Sequence, residues 1–117
     1  MPRFSTWLLD RAIAKERQGR ERQRRERLEA LFQALEKLSR QVPFQEAYIF
    51  GSLAKPYRYF DESDIDVAFV GLRDEDFFRA MAFLSRELEA DVDVVQLESH
   101  PLREKIVKEG IRWTRSG

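Results

Sequence analysis

The sequence predicts an α/β chain of the α+β type: a small mixed β-sheet flanked by helices, with a long N-terminal helix in front of it. Three observations carry this expectation. Leu28, Leu31, Phe32, Leu35 and Leu38 repeat with the 3.6-residue helical period. Ile65, Val67 and Phe69 alternate with Asp64, Asp66 and Ala68, and Val92 and Val94 alternate with Asp91, Asp93 and Val95, which is the period of a strand. An amphipathic stretch from Asp74 to Ala90 lies between those two strands.

Residues 15–27 contain no apolar side chain, so the stretch is expected to be solvated on every side. Glu16 with Arg20 and Glu21 with Arg25 have the i,i+4 spacing that supports an exposed helix, which Gly19 weakens by about 1 kcal/mol relative to alanine. The apolar stripe from Leu28 onward should dock, and the helix should run from about Arg11 to Ser39, stopped by Pro43. We therefore divide the chain into an N-terminal helical extension, 1–40, and a domain, 41–117, that together make one compact unit.

Ala47 to Phe50 reads as a short buried strand leading to Gly51. Pro56 and the residues after it predict a turn or loop, and Gly71 ends the strand that begins at Asp64. Asp74, Glu75 and Asp76 suit the first turn of a helix, whose buried stripe is Phe77, Met81, Leu84 and Leu88. Ser99 can cap a last helix with Pro101 in its first turn and Gly110 as its stop, and Ile111 to Thr114 can add a closing strand.

With 117 residues, the chain has room for one domain and one modest core. Lys plus Arg and Asp plus Glu each total 21, so there is no general attraction to nucleic acid or to membranes. The absence of cysteine removes disulfides and thiolate metal sites and makes the cytoplasm the default location. The apolar pieces near the N-terminus are too short for a signal peptide or a membrane span.

Two aspartates at i and i+2 on a strand project from one face, their α-carbons about 7 Å apart. Asp64 and Asp66 stand this way in a strand that is otherwise apolar, where unpaired acids are costly unless cations or hydrogen bonds compensate them. Asp93, on a second strand with the same alternation, is the candidate third acid, and Asp91 is its rival on the same face. Such a set suits Mg2+, which prefers hard oxygen ligands and keeps phosphates in its shell. Two ions could then stabilise the entering and leaving oxygens of an in-line displacement, and Asp93 could also take the proton of the attacking hydroxyl. At Gly51 the backbone can approach a phosphate closely; Ser52 adds a hydroxyl, and a following helix start would aim N–H groups at the anion. Taken alone, a Gly-Ser pair is a tight turn after a strand.

Together, Gly51-Ser52-Leu53-Ala54-Lys55, Ser63-Asp64-Ile65-Asp66-Val67 and Val92-Asp93-Val94-Val95 resemble the minimal nucleotidyltransferase family of the polymerase beta superfamily. The resemblance runs from about Tyr48 to Trp113 and implies the nucleotidyltransferase fold. It makes Gly51 and Ser52 the nucleotide-binding turn and Asp64, Asp66 and Asp93 the catalytic, metal-holding carboxylates. Lys55 takes the basic position that follows the Gly-Ser pair and could touch the triphosphate; an exposed lysine at a helix end is the plainer reading. Pro56 departs from the pattern, standing where the family usually has glycine. Tyr57, Arg58 and Tyr59 could stack on a base or pack locally, and His100, the single histidine, reads as a surface residue beside a helix start.

The resemblance further implies transfer of a nucleoside monophosphate, AMP from ATP, to an acceptor hydroxyl, with Mg2+ required. Stand-alone family members are commonly paired with a HEPN-domain protein, as antitoxins that adenylylate a tyrosine of that partner. Other readings are a non-catalytic module that grips such a partner, and transfer to a small molecule such as an aminoglycoside. Residues 11–27 carry eight basic and three acidic side chains. Solvation of a helix surface explains that charge more simply than direct RNA binding does. Self-association stays open.

Overall fold

The computed structural model describes residues 3–56 and 64–115, with side chains from residue 8 onward. Seven main elements follow in the order α1 (Arg3–Ser39), β1 (Glu46–Phe50), β2 (Ile65–Val70), α2 (Phe77–Leu88), β3 (Val92–Gln96), α3 (Arg103–Glu109) and β4 (Ile111–Thr114). The strands form one mixed sheet in the order β3-β2-β1-β4. β1 is antiparallel to both β2 and β4, whereas β2 and β3 are parallel and joined through α2. No described helix is long and apolar enough to cross a membrane.

Alternation along the strands sorts their side chains between two faces. Ala47, Ile49, Ile65, Val67, Phe69, Val92, Val94 and Trp113 pack with Leu31, Leu35 and Leu38 of α1 and Leu84 and Leu88 of α2. Tyr48 and Ala68 lie on the other face, under Leu97 and Ile106. The apolar stripe of α1 thus belongs to the main core. Phe44 closes one margin of it, with its ring edge-on to Phe69 at 4.8 Å between centroids.

Helix α1 reaches upstream to Arg3 and passes through Gly19 without a break. Both expected pairs are present, Arg20 to Glu16 at 3.2 Å and Arg25 to Glu21 at 3.5 Å. The expectation that residues 15–27 are solvated on every side is corrected at two positions: Glu21 and Arg24 are buried. Polar side chains achieve this because their hydrogen bonds are satisfied. Arg24 grips Glu21 with two bonds, and Arg27 donates to the carbonyl of Leu88 at the end of α2.

The acids Asp74–Asp76 form a short 3-10 turn ahead of α2. Asp76 is buried there, bonded to Arg73 at 2.8 Å. Helix α2 stops at Leu88 because Glu89 adopts a left-handed conformation, φ 49°. Helix α3 begins at Arg103, later than a cap at Ser99 would place it, and has no side-chain cap. Nδ1 of His100 instead accepts the Leu102 N–H at 3.0 Å, so this histidine shapes the turn leading into the helix.

Candidate functional site

Parallel pairing of β2 with β3 sets Asp66 beside Asp93, with Ile65 beside Val92 and Val67 beside Val94. The flanking apolar residues turn into the core under α1 and α2, so alternation sends both aspartates to the opposite face. Asp64 comes two residues before Asp66 and is exposed at the entrance to the strand. Strand spacing of about 4.8 Å across and about 7 Å along leaves any convergence of the three carboxylates to side-chain torsions. Among the described residues, no three acidic or imidazole groups are gathered closely enough to hold an ion with their side chains as they stand.

The Gly51–Ser52 turn sits against the same acids. Phe50, the last residue of β1, pairs with Asp66. The chain then turns sharply at Gly51, φ 77°, into a 3-10 helix, Gly51–Ala54. A β-carbon on Gly51 would collide with Oδ2 of Asp66, so only glycine lets backbone and carboxylate lie this close. Lys55 closes the turn by donating its N–H to the Ser52 carbonyl at 3.2 Å. Its own backbone is extended, φ −116° and ψ 124°, as the residue before a proline prefers. Leu53 drops its side chain into the core under α1 and α2, so the turn straddles the end of the sheet.

Burial and neighbouring acids together perturb Asp66. Burial, then the negative charges of Asp93 and Asp64, push the Asp66 carboxyl up from 3.8 to about 6. Asp93 and Asp64 each therefore lie within electrostatic reach of Asp66. Oxygen donors whose mutual repulsion is uncompensated are suited to a hard divalent cation, which would relieve that repulsion. The donor set thus fits Mg2+.

The other expected site residues are placed as follows. Lys55 is half exposed, with Nζ 3.8 Å from Oε1 of Glu109. A cavity of about 170 Å3 opens there, lined by Phe50, Gly51, Lys55, Lys105, Ile106 and Glu109. Asp91 lies just before β3, where its carbonyl accepts the Ile65 N–H at 3.1 Å, and it has no part in the perturbation of Asp66. Tyr57, Arg58, Tyr59 and Ser63 lie outside the described residues. Sequence reasoning missed Arg24, whose Nη1 donates to the carbonyl of Leu53 at 3.0 Å and so connects α1 to the Gly-Ser turn. Its signal was present in the Glu21–Arg24 spacing, which places a carboxylate one helical turn from a guanidinium.

Related proteins share this fold. Residues 26–114 match the family model described as polymerase beta, nucleotidyltransferase. No curated protein gives a significant sequence match. Among solved structures, the fold resembles a toxin-antitoxin crystallised with AMP-PNP, at 28% identity over 73% of each chain and a TM-score of 0.61. It also resembles the toxin-antitoxin MntA-HepT, at 27% identity over 74% of this chain and 71% of that one, TM-score 0.55. A third is a protein assigned as a minimal nucleotidyltransferase, at 29% identity over 74% of this chain and 92% of that one, TM-score 0.57. With three quarters of its length matched and the Gly-Ser turn set against the Asp-x-Asp strand, the chain belongs to the polymerase beta-like nucleotidyltransferases, in the company of the minimal nucleotidyltransferases.

Proposed function

We propose that the protein transfers AMP from ATP to an acceptor hydroxyl, and that the acceptor is a tyrosine of a HEPN-domain toxin that it silences as an antitoxin. The observation that carries the reading is the alignment of Asp66 with Asp93 on one sheet face, with Asp66 packed against Gly51. On this reading residues 41–117 carry the chemistry and residues 1–40 form a helical extension.

Asp64, Asp66 and Asp93 would hold Mg2+, two ions at full loading, and bound magnesium would offset the charge on the phosphates and on the leaving pyrophosphate. Gly51 lets the backbone approach the phosphates, Ser52 donates its hydroxyl to them, and Lys55 adds a positive charge beside them. The acceptor oxygen attacks the α-phosphorus, forming a P–O bond, while the bond from that phosphorus to the bridging oxygen breaks and pyrophosphate departs. The hydroxyl proton passes to Asp93, exposed on β3 where an incoming acceptor can reach it.

The likeness to toxin-antitoxin crystal structures, one of them with AMP-PNP, supports both the nucleotide and the partner. The test is to incubate the protein with ATP, Mg2+ and its candidate HEPN partner and to weigh the partner intact. A gain of one AMP on a tyrosine, lost with Asp64→Asn, is expected. No gain with the wild type, or an equal gain with the variant, overturns the reading.

A further inference from the structure

We propose that Arg24 is a positioning residue that fixes the Gly51–Ala54 turn by supplying the hydrogen-bond donor that Pro56 removes. In a 3-10 helix the carbonyl of residue 53 would accept from the N–H of residue 56. Residue 56 is proline and has none. Pro56 also forces Lys55 out of the helical region, which ends the turn at that point. The Leu53 carbonyl is left at the base of the turn, on a residue whose side chain is wholly buried, where an unmet acceptor is costly.

Arg24 answers that need from α1, across 29 residues of sequence. One arm of its guanidinium donates to Leu53, while Nε and Nη2 are held by the two oxygens of Glu21 at 2.9 and 2.7 Å. Both side chains of the pair are nearly inaccessible, so the fork is locked in place before it meets the turn. The pair adds little to stability by itself, because burying two charges offsets most of their attraction. Orientation is what it provides: Leu53 is anchored by its side chain in the core and by its carbonyl on Arg24, and Gly51 and Ser52 immediately before it inherit that placement. The role also explains why two charged residues are buried in a helix segment without an apolar side chain, and it compensates a proline in the loop after the Gly-Ser pair.

The consequence for nucleotide binding rests on the proposed function, whereas the consequence for the turn does not. The test is amide hydrogen exchange on the full-length protein, comparing wild type with Arg24→Lys, which keeps the charge beside Glu21 but loses the fork, and with Arg24→Gln. Loss of a charge-assisted hydrogen bond should speed exchange at the Lys55 amide by about tenfold or more, with β1 and β2 amides unchanged. Adding Pro56→Ala to Arg24→Gln restores a backbone donor and should recover most of that protection. In ATP titrations of activity, Arg24→Lys should raise KM about tenfold with kcat within about twofold of wild type. Unchanged exchange at Lys55 in the lysine variant, or an equal rise throughout the sheet, overturns the positioning role. Strict additivity of the double variant overturns the part given to Pro56. A wild type without AMP transfer would instead sink the proposed function and leave the exchange result to decide this inference.

Discussion

Gly51 and Asp66 are so close that no β-carbon fits between them, and this contact ties the turn after β1 to the acids of β2 and β3. Gly51→Ala should therefore be damaged twice, by a left-handed φ of 77° and by collision with the carboxylate. The left-handed backbone should cost about 1 to 2 kcal/mol of stability, the collision should add less because the tip of the Asp66 side chain can swing aside, and that displacement should remove most of the transfer activity. Denaturant unfolding of Gly51→Ala with and without Asp66→Ala separates the two causes. The double variant should regain the steric part but retain the backbone part, and a simple sum of the single effects would contradict the contact.

Asp66 makes the metal-free protein pH-sensitive in a direction opposite to that of most carboxylates. Its carboxyl titrates near 6 when folded, against 3.8 as the ordinary value. Between those values the folded chain holds a proton that the unfolded chain has released, so this contribution to stability is complete below 3.8 and is lost as pH rises through 6. Discounted for the partial exposure of the group, the effect should be about 1 kcal/mol. Thermal unfolding without metal, from pH 4.5 to 7.5, should show this slope in the wild type. Asp66→Asn should flatten it and be the more stable protein at pH 7.5, although inactive. Mg2+ competes with the proton, so its apparent affinity should fall below pH 6.

What the sequence made legible follows from the physics of alternation. The acids of β2 and β3 share a face because Ile65, Val67, Val92 and Val94 all turn inward, a property visible in each segment separately. The order β3-β2-β1-β4 is different in kind, being set by long-range pairing that no local period records. Hydrophobic periodicity is likewise blind to polar burial. Glu21, Arg24 and Asp76 are inside because specific partners meet them, and one partner of Arg24, the Leu53 carbonyl, is distant in sequence. His100 is the surface residue beside a helix start that the sequence predicts, but its acceptor role depends on a ring nitrogen meeting a backbone N–H two residues on, which no periodicity records.

Helix α1 should divide sharply in its contribution to stability. Residues 8–19 are exposed throughout, whereas Leu31, Leu35 and Leu38 are fully buried against the sheet. Replacing Leu8, Leu9 and Ile13 together with alanine should change unfolding free energy by less than about 1 kcal/mol, in line with other surface changes. Leu35→Ala should cost about 3 kcal/mol by emptying part of the core. Chemical denaturation of the two variants checks the contrast, and comparable losses would mean that the outer turns of the helix pack on the protein.

Lys55 offers the cleanest separation of binding from folding. Its ion pair with Glu109 is long, at 3.8 Å, and about half exposed on each side, so it should contribute less than about 1 kcal/mol. Lys55→Ala should accordingly unfold within a degree or two of wild type, as surface substitutions do. If Lys55 meets the triphosphate beside Gly51, the same change should raise KM for ATP by about tenfold, the value of one charge-assisted contact, with kcat little altered. Glu109→Gln frees the lysine from its competitor and should leave KM equal or lower. A KM unmoved by Lys55→Ala would assign this lysine to the pair with Glu109 and leave phosphate recognition to the Gly51–Ser52 turn alone.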